Sequence, residues 1–344
     1  MTPLKRYRVA LAGYYGFGNL GDELLLEAAV ASLLRCGVAR ERMVVLSNDP
    51  GDSRRKLGVE AVDRWKVRQI CRVLGQSETL LLGGGGLFQD VTSLGSCVYY
   101  WGLVRGAVIR GAVPWALGQS LGPLGSGLAR RLARDALRRC RVVQVRDRAA
   151  LSLCESWGVR ARWGHDPVFT LGDVFSLGNP ASDAAPDKML LVNLRPCAGD
   201  LPQRFAEALS LYALAFARDV GGEAVGVALS EEDERLMLRF MEEKRLPLAR
   251  VERVATLSDA LRVFHGAKAA VGMRLHFAIL AVLASVPLTV VPYDPKVQVF
   301  ASDREIPVWD GGPLPAPQLA EVRPLSPEFF REEIDAICRD VVRF

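Results

Sequence analysis

The chain has 344 residues, half of them hydrophobic, and a formal net charge of +5 at pH 7. This length suits two domains, and a mild positive charge without a run of five like charges argues against a nucleic-acid-binding protein. Seven cysteines without a Cys-x-x-Cys pair indicate free thiols in a reducing compartment. We find no secretory signal and no apolar stretch of membrane-spanning length, so we expect a cytoplasmic protein.

The first half of the chain alternates short apolar stretches with amphipathic ones whose apolar residues recur at helical spacing. This alternation is typical of a parallel sheet that is covered by helices on both faces. The predicted strands are Arg8–Gly13, Met43–Leu46, Thr79–Leu82, Val113–Leu117 and Val142–Val145. The predicted helices are Asp22–Arg35, Val67–Leu74, Val98–Arg110, Leu128–Arg139 and Asp147–Trp157.

The same alternation resumes after residues 178–187, whose composition is that of a linker. The predicted strands are Met189–Leu194, Glu223–Leu229, Ala269–Gly272 and Leu288–Val291. The predicted helices are Leu201–Asp219, Glu232–Lys244, Leu257–His265, Met273–Ala284 and Ser326–Val342. We therefore predict an α/β protein of two doubly wound, Rossmann-like domains, residues 1–172 and 188–325, with an interdomain cleft.

Ligands of open α/β sheets bind beyond the carboxyl ends of the strands, so the loops that leave the strands carry the candidate site. The first loop runs from Gly13 to Glu23 and opens a helix, where free backbone N–H groups bind anions or polar oxygens. It lacks the Gly-Lys-Ser/Thr of a Walker loop and has no well-placed acidic partner for a dinucleotide. Asp22 is either the helix N-cap or a group that holds or deprotonates a hydroxyl. Asn19 is either a turn residue or a ligand of the substrate.

Two more loops of the first half follow predicted strands. Gly83–Gly86 lets a ligand approach the backbone closely, and Asp90 is the nearest ionisable side chain. The alternative is a flexible loop without a ligand. Gln119 and Ser120 could hydrogen-bond sugar hydroxyls, although an ordinary turn is the better explanation of that loop when it is taken alone.

Cationic side chains follow strands in both halves. Arg146 could grip a carboxylate or phosphate bidentately, unless it is a solvated surface arginine. In the second half, Arg274 and His276 lie near the start of a helix, and Lys296 follows the next strand. Arginine and lysine suit an anionic group, and a histidine can move a proton near neutral pH. Pro167 favours an extended conformation at Asp166. We therefore interpret Asp166 as a structural residue at the point where the chain leaves the first domain.

Together these segments resemble the polysaccharide pyruvyl transferase family, and its CsaB-like bacterial branch in particular. The matching stretches lie in the family's order between Arg8 and Phe300. They are GYYGFGNLGDE, LLLGGGGLFQD, LGQSLGPL, VRDRAAL, GHDPVF, GMRLHFAILA and PYDPKV. The resemblance implies a GT-B-like fold, in which the last helix, residues 326–344, packs back on the N-terminal domain.

The resemblance also implies phosphoenolpyruvate as the pyruvate donor and a sugar, commonly N-acetylmannosamine, of a lipid-linked cell-wall polysaccharide precursor as the acceptor. The product would be a cyclic ketal, with release of phosphate, and would anchor S-layer proteins through their SLH domains. A lipid-linked acceptor would place the enzyme at the inner face of the plasma membrane. Phosphoenolpyruvate is a co-substrate, and we expect neither a cofactor nor a metal ion.

The family's donor-binding positions resemble Arg146, Arg274, His276 and Lys296 here, and we add Leu275 to them. His276 is the expected general acid/base, with Asp22 and Asp90 as further catalytic candidates. The candidate acceptor-binding residues are Gly16, Asn19, Gly84, Gly85, Gln119 and Ser120.

Two other functions are compatible with the sequence. A GT-B nucleotide-sugar glycosyltransferase or epimerase would share the architecture and the glycine loops, but we identify no nucleotide pocket. A non-catalytic wall-assembly protein that binds polysaccharide would not need the cations and the histidine of the second half.

Overall fold

The computed structural model describes residues 5–91, 93–177, 188–265, 267–320 and 327–342. The strands, numbered in chain order, are β1 (Tyr7–Ala12), β2 (Met43–Ser47), β3 (Glu60–Asp63), β4 (Ser77–Leu82), β5 (Gly85–Phe88), β6 (Val113–Leu121), β7 (Val143–Val145), β8 (Arg162–Trp163), β9 (Met189–Asn193), β10 (Glu223–Ala228), β11 (Arg250–Arg253), β12 (Ala267–Gly272) and β13 (Leu288–Val290).

The α-helices alternate with these strands. They are α1 (Leu20–Arg35), α2 (Pro50–Leu57), α3 (Val67–Gln76), α4 (Gly95–Ile109), α5 (Gly127–Arg138), α6 (Arg148–Ser156), α7 (Gly172–Leu177), α8 (Leu201–Val220), α9 (Glu231–Glu242), α10 (Leu257–Phe264), α11 (Leu275–Leu283), α12 (Pro295–Ser302) and α13 (Pro327–Val342). Short 3₁₀ helices cover Arg40–Arg42 and Pro167–Leu171. Within the described ranges, no helix combines the length and apolar character needed to cross a membrane.

The chain divides into two compact units. The first unit comprises the described residues of Met1–Phe17, Asp22–Thr170 and Ser326–Phe344, and the second comprises those of Gly18–Gly21 and Leu171–Leu325. The predicted linker, residues 178–187, lies outside the described residues.

The first unit is built on a parallel sheet with the strand order β3-β2-β1-β4-β6-β7-β8, and β5 pairs with β6. Alternate residues of each strand point to opposite faces. Ala10 and Ala12 face a core shared with α3, α4, α5 and α6, whereas Val9 and Leu11 face a core shared with α1 and α13. Both faces of this sheet are therefore covered by helices, as the sequence predicts.

The last helix supplies part of the second of these cores. Ile334, Ile337, Cys338 and Val341 are buried against residues of β1, β2 and α1. An ion pair between Arg35 Nε and Asp335 Oδ2, at 2.8 Å, joins the end of α1 to α13. Helix α13 is therefore an integral layer of the first unit.

The second unit repeats the arrangement with five parallel strands in the order β11-β10-β9-β12-β13. Its central strand β9 is buried from Leu190 to Asn193. Residues of α8 and α9 cover one face of the sheet. Both units thus have the doubly wound order that the alternating pattern predicts, and the predicted α/β class is confirmed.

Candidate active site

Each sheet reverses the direction of its strand order at one place, between β1 and β4 in the first unit and between β9 and β12 in the second. Doubly wound sheets bind ligands beyond the carboxyl ends of their strands at this place. We call the carboxyl ends of β1 to β7, with the loops that follow them, the first edge, up to Phe17 in the case of β1. The second edge comprises the carboxyl ends of β9, β10, β12 and β13 with their loops, together with the Gly18–Gly21 segment of the second unit. The predicted site residues lie on these two edges, which we describe one at a time.

Tyr15 explains two glycines of the first edge. A Cβ atom at Gly83 would lie 1.7 Å from Tyr15 Oη, and one at Gly13 would lie 2.3 Å from Tyr15 Cζ. The tyrosine is fully buried, and its Oη has no hydrogen-bond partner in the described part of the chain. Burial, together with Tyr100 and the negative charge of Asp22, holds the pKa of Tyr15 well above its usual value, so the hydroxyl stays protonated.

The predicted acceptor ligands Gly84 and Gly85 have different surroundings. A Cβ atom at Gly84 would lie 2.5 Å from Leu25 Cδ2, so this glycine is required by packing within the chain. Gly85 has a φ of +109°, and a Cβ atom there would lie 3.3 Å from Asp22 Oδ1. The structure therefore brings Asp22, one of the predicted catalytic residues, next to the glycine turn after β4.

The first turn of α1 settles the alternative roles of Asn19 and Asp22. Helix α1 begins at Leu20, and Asn19 Oδ1 accepts a hydrogen bond from Gly21 N at 3.2 Å. Asn19 is thus in the N-cap position, and Asp22 lies inside the first turn. The interpretation of Asp22 as the cap is wrong because the helix begins two residues earlier.

Glu23 is a carboxylate of the first edge that we did not predict. Its Oε1 accepts a hydrogen bond at 2.8 Å from the backbone N–H of Gly16, a predicted acceptor ligand. Burial raises the pKa of Glu23 despite this hydrogen bond. The carboxylate holds the turn after β1 in place, and its position directly after Asp22 is the signal that we overlooked.

Gln119 and Ser120, two predicted acceptor ligands, are both buried at the end of β6. The amide of Gln119 donates hydrogen bonds to the carbonyl oxygens of Leu82, at 3.2 Å, and Gly83. Ser120 Oγ accepts a hydrogen bond from Arg146 Nε at 2.8 Å. The side-chain nitrogen of Gln119 thus holds the glycine turn after β4.

Arg146, a predicted donor ligand, forms a buried salt bridge through Nη1 with Asp166 Oδ2, and each side chain is 5% exposed. Two of the three guanidinium nitrogens, Nε and Nη1, are thus occupied by Ser120 and Asp166. A solvated surface arginine is therefore the wrong alternative for Arg146. Asp166, interpreted from the sequence as a domain exit, is instead the partner of this arginine.

Asp90 holds the loop between β6 and α5. Its two carboxylate oxygens accept hydrogen bonds, both at 2.7 Å, from the backbone N–H groups of Gly125 and Ser126. These hydrogen bonds lower the pKa of Asp90 because they favour the ionised form. A carboxylate with a lowered pKa is a poor proton acceptor, so this geometry favours a structural role over the predicted catalytic one.

Arg64 organises an aromatic cluster on the first edge that the sequence did not reveal. This arginine follows β3 and is 4% exposed, and its Nη1 donates to Gly13 O at 2.7 Å. Four rings lie within reach of a cation–π interaction with its guanidinium carbon. They are Tyr99 at 4.5 Å, Phe17 at 5.1 Å, Trp65 at 5.3 Å and Tyr100 at 5.8 Å.

On the second edge, Arg274 is fixed by a bidentate salt bridge. Its Nε and Nη2 donate to the two oxygens of Asp233 at 2.6 and 2.7 Å, and Nη2 also donates to Ser230 Oγ at 2.7 Å. Asp233 is completely buried. Its backbone N–H donates to Ser230 Oγ at 3.3 Å, so the Ser-x-x-Asp sequence indicates a helix cap and hides the role of both residues as partners of Arg274.

His276 lies against the Gly18–Gly21 segment of the same unit. A Cβ atom at Gly21 would lie 2.1 Å from His276 Nδ1, so only glycine leaves room for the imidazole. The segment is held by two more contacts, Leu20 N to Leu229 O at 2.9 Å and Arg253 Nη2 to Gly18 O at 2.6 Å. The predicted residues Asn19 and His276 are thereby brought to the same edge.

The remaining predicted donor ligands lie at the starts of two helices. Leu275 is the first residue of α11, and its side chain is buried in the core. Lys296 Nζ lies 3.0 Å from Oδ2 of Asp294, which is the N-cap of α12, and Lys296 is 28% exposed. Lys296 is therefore paired within its own helix turn and is accessible at the surface.

Arg195, another cation of the second edge, was not predicted. It follows β9 after Leu194, and its Nη1 donates to Tyr293 Oη at 2.8 Å while the guanidinium stacks 4.3 Å from the Tyr293 ring centroid. Tyr293 belongs to the same loop as Asp294 and Lys296. The position of Arg195 directly after a buried strand is the signal that could have identified it.

Neither edge contains a metal centre in the parts that are described: no group of three or more His, Cys, Asp or Glu side chains there could hold a metal ion.

The model of the polysaccharide pyruvyl transferase family matches residues 19–295. This range includes the glycine turn Gly83–Gly86, the Arg146–Asp166 pair and the Arg274–His276 segment. No curated protein matches the chain.

Several solved structures are similar to this chain. Anabaena Alr3699/HepE, in complex with UDP-glucose, has 14% identity and a TM-score of 0.56, with 98% of this chain and 94% of that chain covered. The UDP-GlcNAc 2-epimerase from Methanocaldococcus jannaschii has 8% identity and a TM-score of 0.58, with coverage of 97% and 93%. At such low identity the likeness shows the fold alone, and it confirms the predicted GT-B-like class.

Proposed function

We propose, since this chain belongs to the polysaccharide pyruvyl transferase family, that it transfers pyruvate from phosphoenolpyruvate to a sugar of a lipid-linked cell-wall polysaccharide precursor. The acceptor sugar is N-acetylmannosamine, and the product is a cyclic ketal that bridges two of its hydroxyls. The pyruvylated polymer would then anchor S-layer proteins through SLH domains. A lipid-linked acceptor brings the enzyme to the inner face of the plasma membrane.

The observation that carries the proposal is the set of cations and the histidine on the second edge. Arg274, Arg195 and Lys296 follow β12, β9 and β13, which are neighbours in the sheet. Phosphoenolpyruvate carries a carboxylate and a phosphate, and cations neutralise and orient such a ligand. Because Lys296 and its partner Asp294 are both partly exposed, Lys296 can exchange that partner for the donor.

Arg274 contributes differently from Lys296. Its bidentate contact with buried Asp233 fixes the guanidinium plane before a ligand binds, and preorganised charge costs no reorganisation during the reaction. Arg146 is fixed in the same way by Asp166 and Ser120. We keep both arginines as donor ligands, with orientation by a carboxylate as their shared feature.

The proposed reaction balances without a cofactor. The first sugar hydroxyl gives its proton to a base as its oxygen bonds to C2 of phosphoenolpyruvate, and the CH₂ carbon of the donor takes a proton from an acid and becomes CH₃. The proton gained by the base equals the one lost by the acid, so exchange with solvent restores both groups. The C2–O bond to phosphate then breaks, a second hydroxyl oxygen of the same sugar bonds to C2, and its proton leaves with the phosphate. His276 is the proposed acid that protonates the CH₂ carbon, and Asp22, beside Gly85, is the proposed base for an acceptor hydroxyl.

The test is release of phosphate from phosphoenolpyruvate, with and without a lipid-linked acceptor that contains N-acetylmannosamine. We expect release that depends on the acceptor, and a product that is heavier by one pyruvate unit without loss of the acceptor. Release without the acceptor would indicate a phosphatase. No release, together with stabilisation of the protein by UDP, would replace the proposal with a nucleotide-sugar reaction.

A further inference from the structure

The first edge carries an exposed group of aromatic rings that the proposed reaction does not use. We call the side chains of Tyr14, Phe17, Trp65 and Tyr99 the aromatic platform. Tyr14 and Phe17 stack with ring centroids 4.0 Å apart and planes 9° from parallel. Trp65 and Tyr99 lie 6.0 Å apart, and Arg64 joins Phe17 to both through cation–π contacts.

Two rings of the platform are open to solvent although they are large. Trp65 is 61% exposed and Tyr14 is 45% exposed. Exposed apolar side chains are normal when they are isolated, but a cluster of them usually marks an interaction site. The platform is such a cluster: Tyr14, Phe17 and Trp65 lie in the loops after β1 and β3, beyond the carboxyl ends of parallel strands, where ligands bind, and Tyr99 reaches them from α4.

The orientation of Trp65 is fixed before any ligand binds. Its indole N–H donates to Asn48 Oδ1 at 2.9 Å, and its backbone N–H donates to Asp63 Oδ1 at 2.9 Å. Asn48 is itself anchored, since its backbone N–H donates to Tyr15 O at 3.0 Å. An exposed ring that is held by hydrogen bonds loses little conformational entropy on binding, which favours a recognition role.

The chemistry of the surroundings fits a sugar. One face of a pyranose ring presents C–H groups that pack on the negative face of an aromatic ring, and its rim presents hydroxyls. Beside Trp65 lie the side chains of Asn48 and Asp63, whose oxygens can also accept hydrogen bonds from hydroxyls. A sugar therefore finds both an aromatic face and hydrogen-bond acceptors at this place.

We propose that the aromatic platform is a binding subsite for a sugar of the acceptor polysaccharide, with Trp65 as the principal stacking surface. This inference rests on the proposed function only in taking a polysaccharide as the ligand. The subsite would hold a sugar next to the one that reacts, and so would give the enzyme a preference for polymeric acceptors over a single sugar.

The experiment measures sugar binding without phosphoenolpyruvate, so that it does not depend on the reaction. Oligosaccharides of two, four and six sugars that contain N-acetylmannosamine are titrated into the ¹⁵N-labelled protein. The chain has six tryptophans, and a W65F variant identifies the indole N–H resonance of Trp65. We expect this resonance to shift on addition of sugar, while that of Trp163 does not.

The matched control is Trp163, which is 41% exposed and carries a stacked arginine, Arg148, at 4.2 Å. We expect W65A to weaken oligosaccharide binding about tenfold by calorimetry, because the stacking surface is lost. W163A should bind like the unmodified protein, and W65F, which keeps an aromatic face, should bind more tightly than W65A.

Three outcomes overturn the inference. The first is the absence of any binding by the unmodified protein, and the second is equal affinity of W65A and W163A. The third is a shift of the Trp65 resonance by vesicles of phosphatidylglycerol but not by oligosaccharide, which would make the platform a membrane contact. Sugar binding that depends on Trp65, without phosphate release, would support the subsite and contradict phosphoenolpyruvate as the donor. Phosphate release that W65A leaves unchanged would support the donor and contradict the subsite.

Discussion

The first and second edges follow the same order of strands but carry different chemistry. The first edge contains glycine turns, buried tyrosine and glutamine side chains and an aromatic cluster, and its Arg146 is locked into a buried pair. The second edge contains Arg274, Arg195, Lys296 and His276. One architecture thus carries an aromatic surface, with its arginines buried or paired, in one unit and partly exposed cations in the other.

The most direct way to break this comparison is the substitution of His276 by alanine. We expect turnover to fall about a thousandfold, because the proposed proton donor to the CH₂ carbon is lost, while binding of phosphoenolpyruvate is largely kept. Phosphate release measures turnover, and calorimetry with phosphoenolpyruvate measures binding.

The control for this variant is His265→Ala, which changes the other histidine of the second unit, at the C-cap of α10. Equal turnover of H276A and the unmodified protein would show that His276 is not the proton donor.

The second test concerns the anchor of Arg274. D233A leaves a mostly buried guanidinium without its carboxylate, and we expect the free energy of unfolding to fall by about 3 kcal/mol. Urea unfolding followed by circular dichroism measures the change. D219A is the control, because Asp219 pairs with Arg218 at the surface, where both are more than half exposed, and its loss should change the free energy of unfolding far less than D233A does. Equal losses would mean that Asp233 is not the rigid anchor that the geometry indicates.

The third test sharpens the position of His276. In G21A the new Cβ would lie 2.1 Å from Nδ1 of the imidazole, so the ring must move. We expect kcat to fall roughly tenfold, because a displaced catalytic group loses its alignment, whereas KM for the acceptor stays the same. G102A in α4 is the control, since a Cβ there meets no atom within 4 Å. A loss of stability without any change in kcat would show that Gly21 serves packing alone.

The smallest expected effect concerns Asp90 on the first edge. Its pKa is lowered in the folded state, so its ionised form stabilises the fold above the unfolded pKa of about 3.9, and this contribution is lost as the pH falls through the lowered value. D90N should therefore melt below the unmodified protein near pH 7, and the difference should disappear at strongly acidic pH. D303N, at an exposed helix end, serves as the control. A large loss of kcat in D90N with unchanged melting would restore the catalytic role.

Regular elements were predictable because their apolar residues recur at a fixed period. Strands such as Met43–Ser47 and Met189–Asn193 are buried along their whole length and read as continuous apolar runs. The strands at the margins were missed: Glu60–Asp63 and Arg250–Arg253 are polar and only partly buried, so their sequences contain no comparable run. Helix Pro295–Ser302 was missed because the segment was considered only for its lysine.

The candidate site was predictable in its positions but not in its partners. Asp22, Arg274 and His276 could be selected because each follows a strand and a glycine. The partners of the arginines, Asp166 and Asp233, are 20 and 41 residues away from Arg146 and Arg274, and nothing local in the sequence connects them. From the sequence, the glycines after β4 were interpreted as room for a ligand. In the structure Gly83 leaves room for the buried Tyr15 side chain, and this packing leaves no local pattern in the sequence.

The packing of α13 affects the order in which the chain can fold during synthesis. Residues 334–341 of this helix complete a core whose other members include Val9 and Leu11 of the first strand. On the ribosome these strand residues are synthesised first, and more than 300 further residues are added before α13, which covers them, is complete. The second unit is complete by residue 325. The unit that begins first therefore finishes last, which reverses the usual N-to-C order of domain folding and leaves its nascent sheet dependent on protection from aggregation.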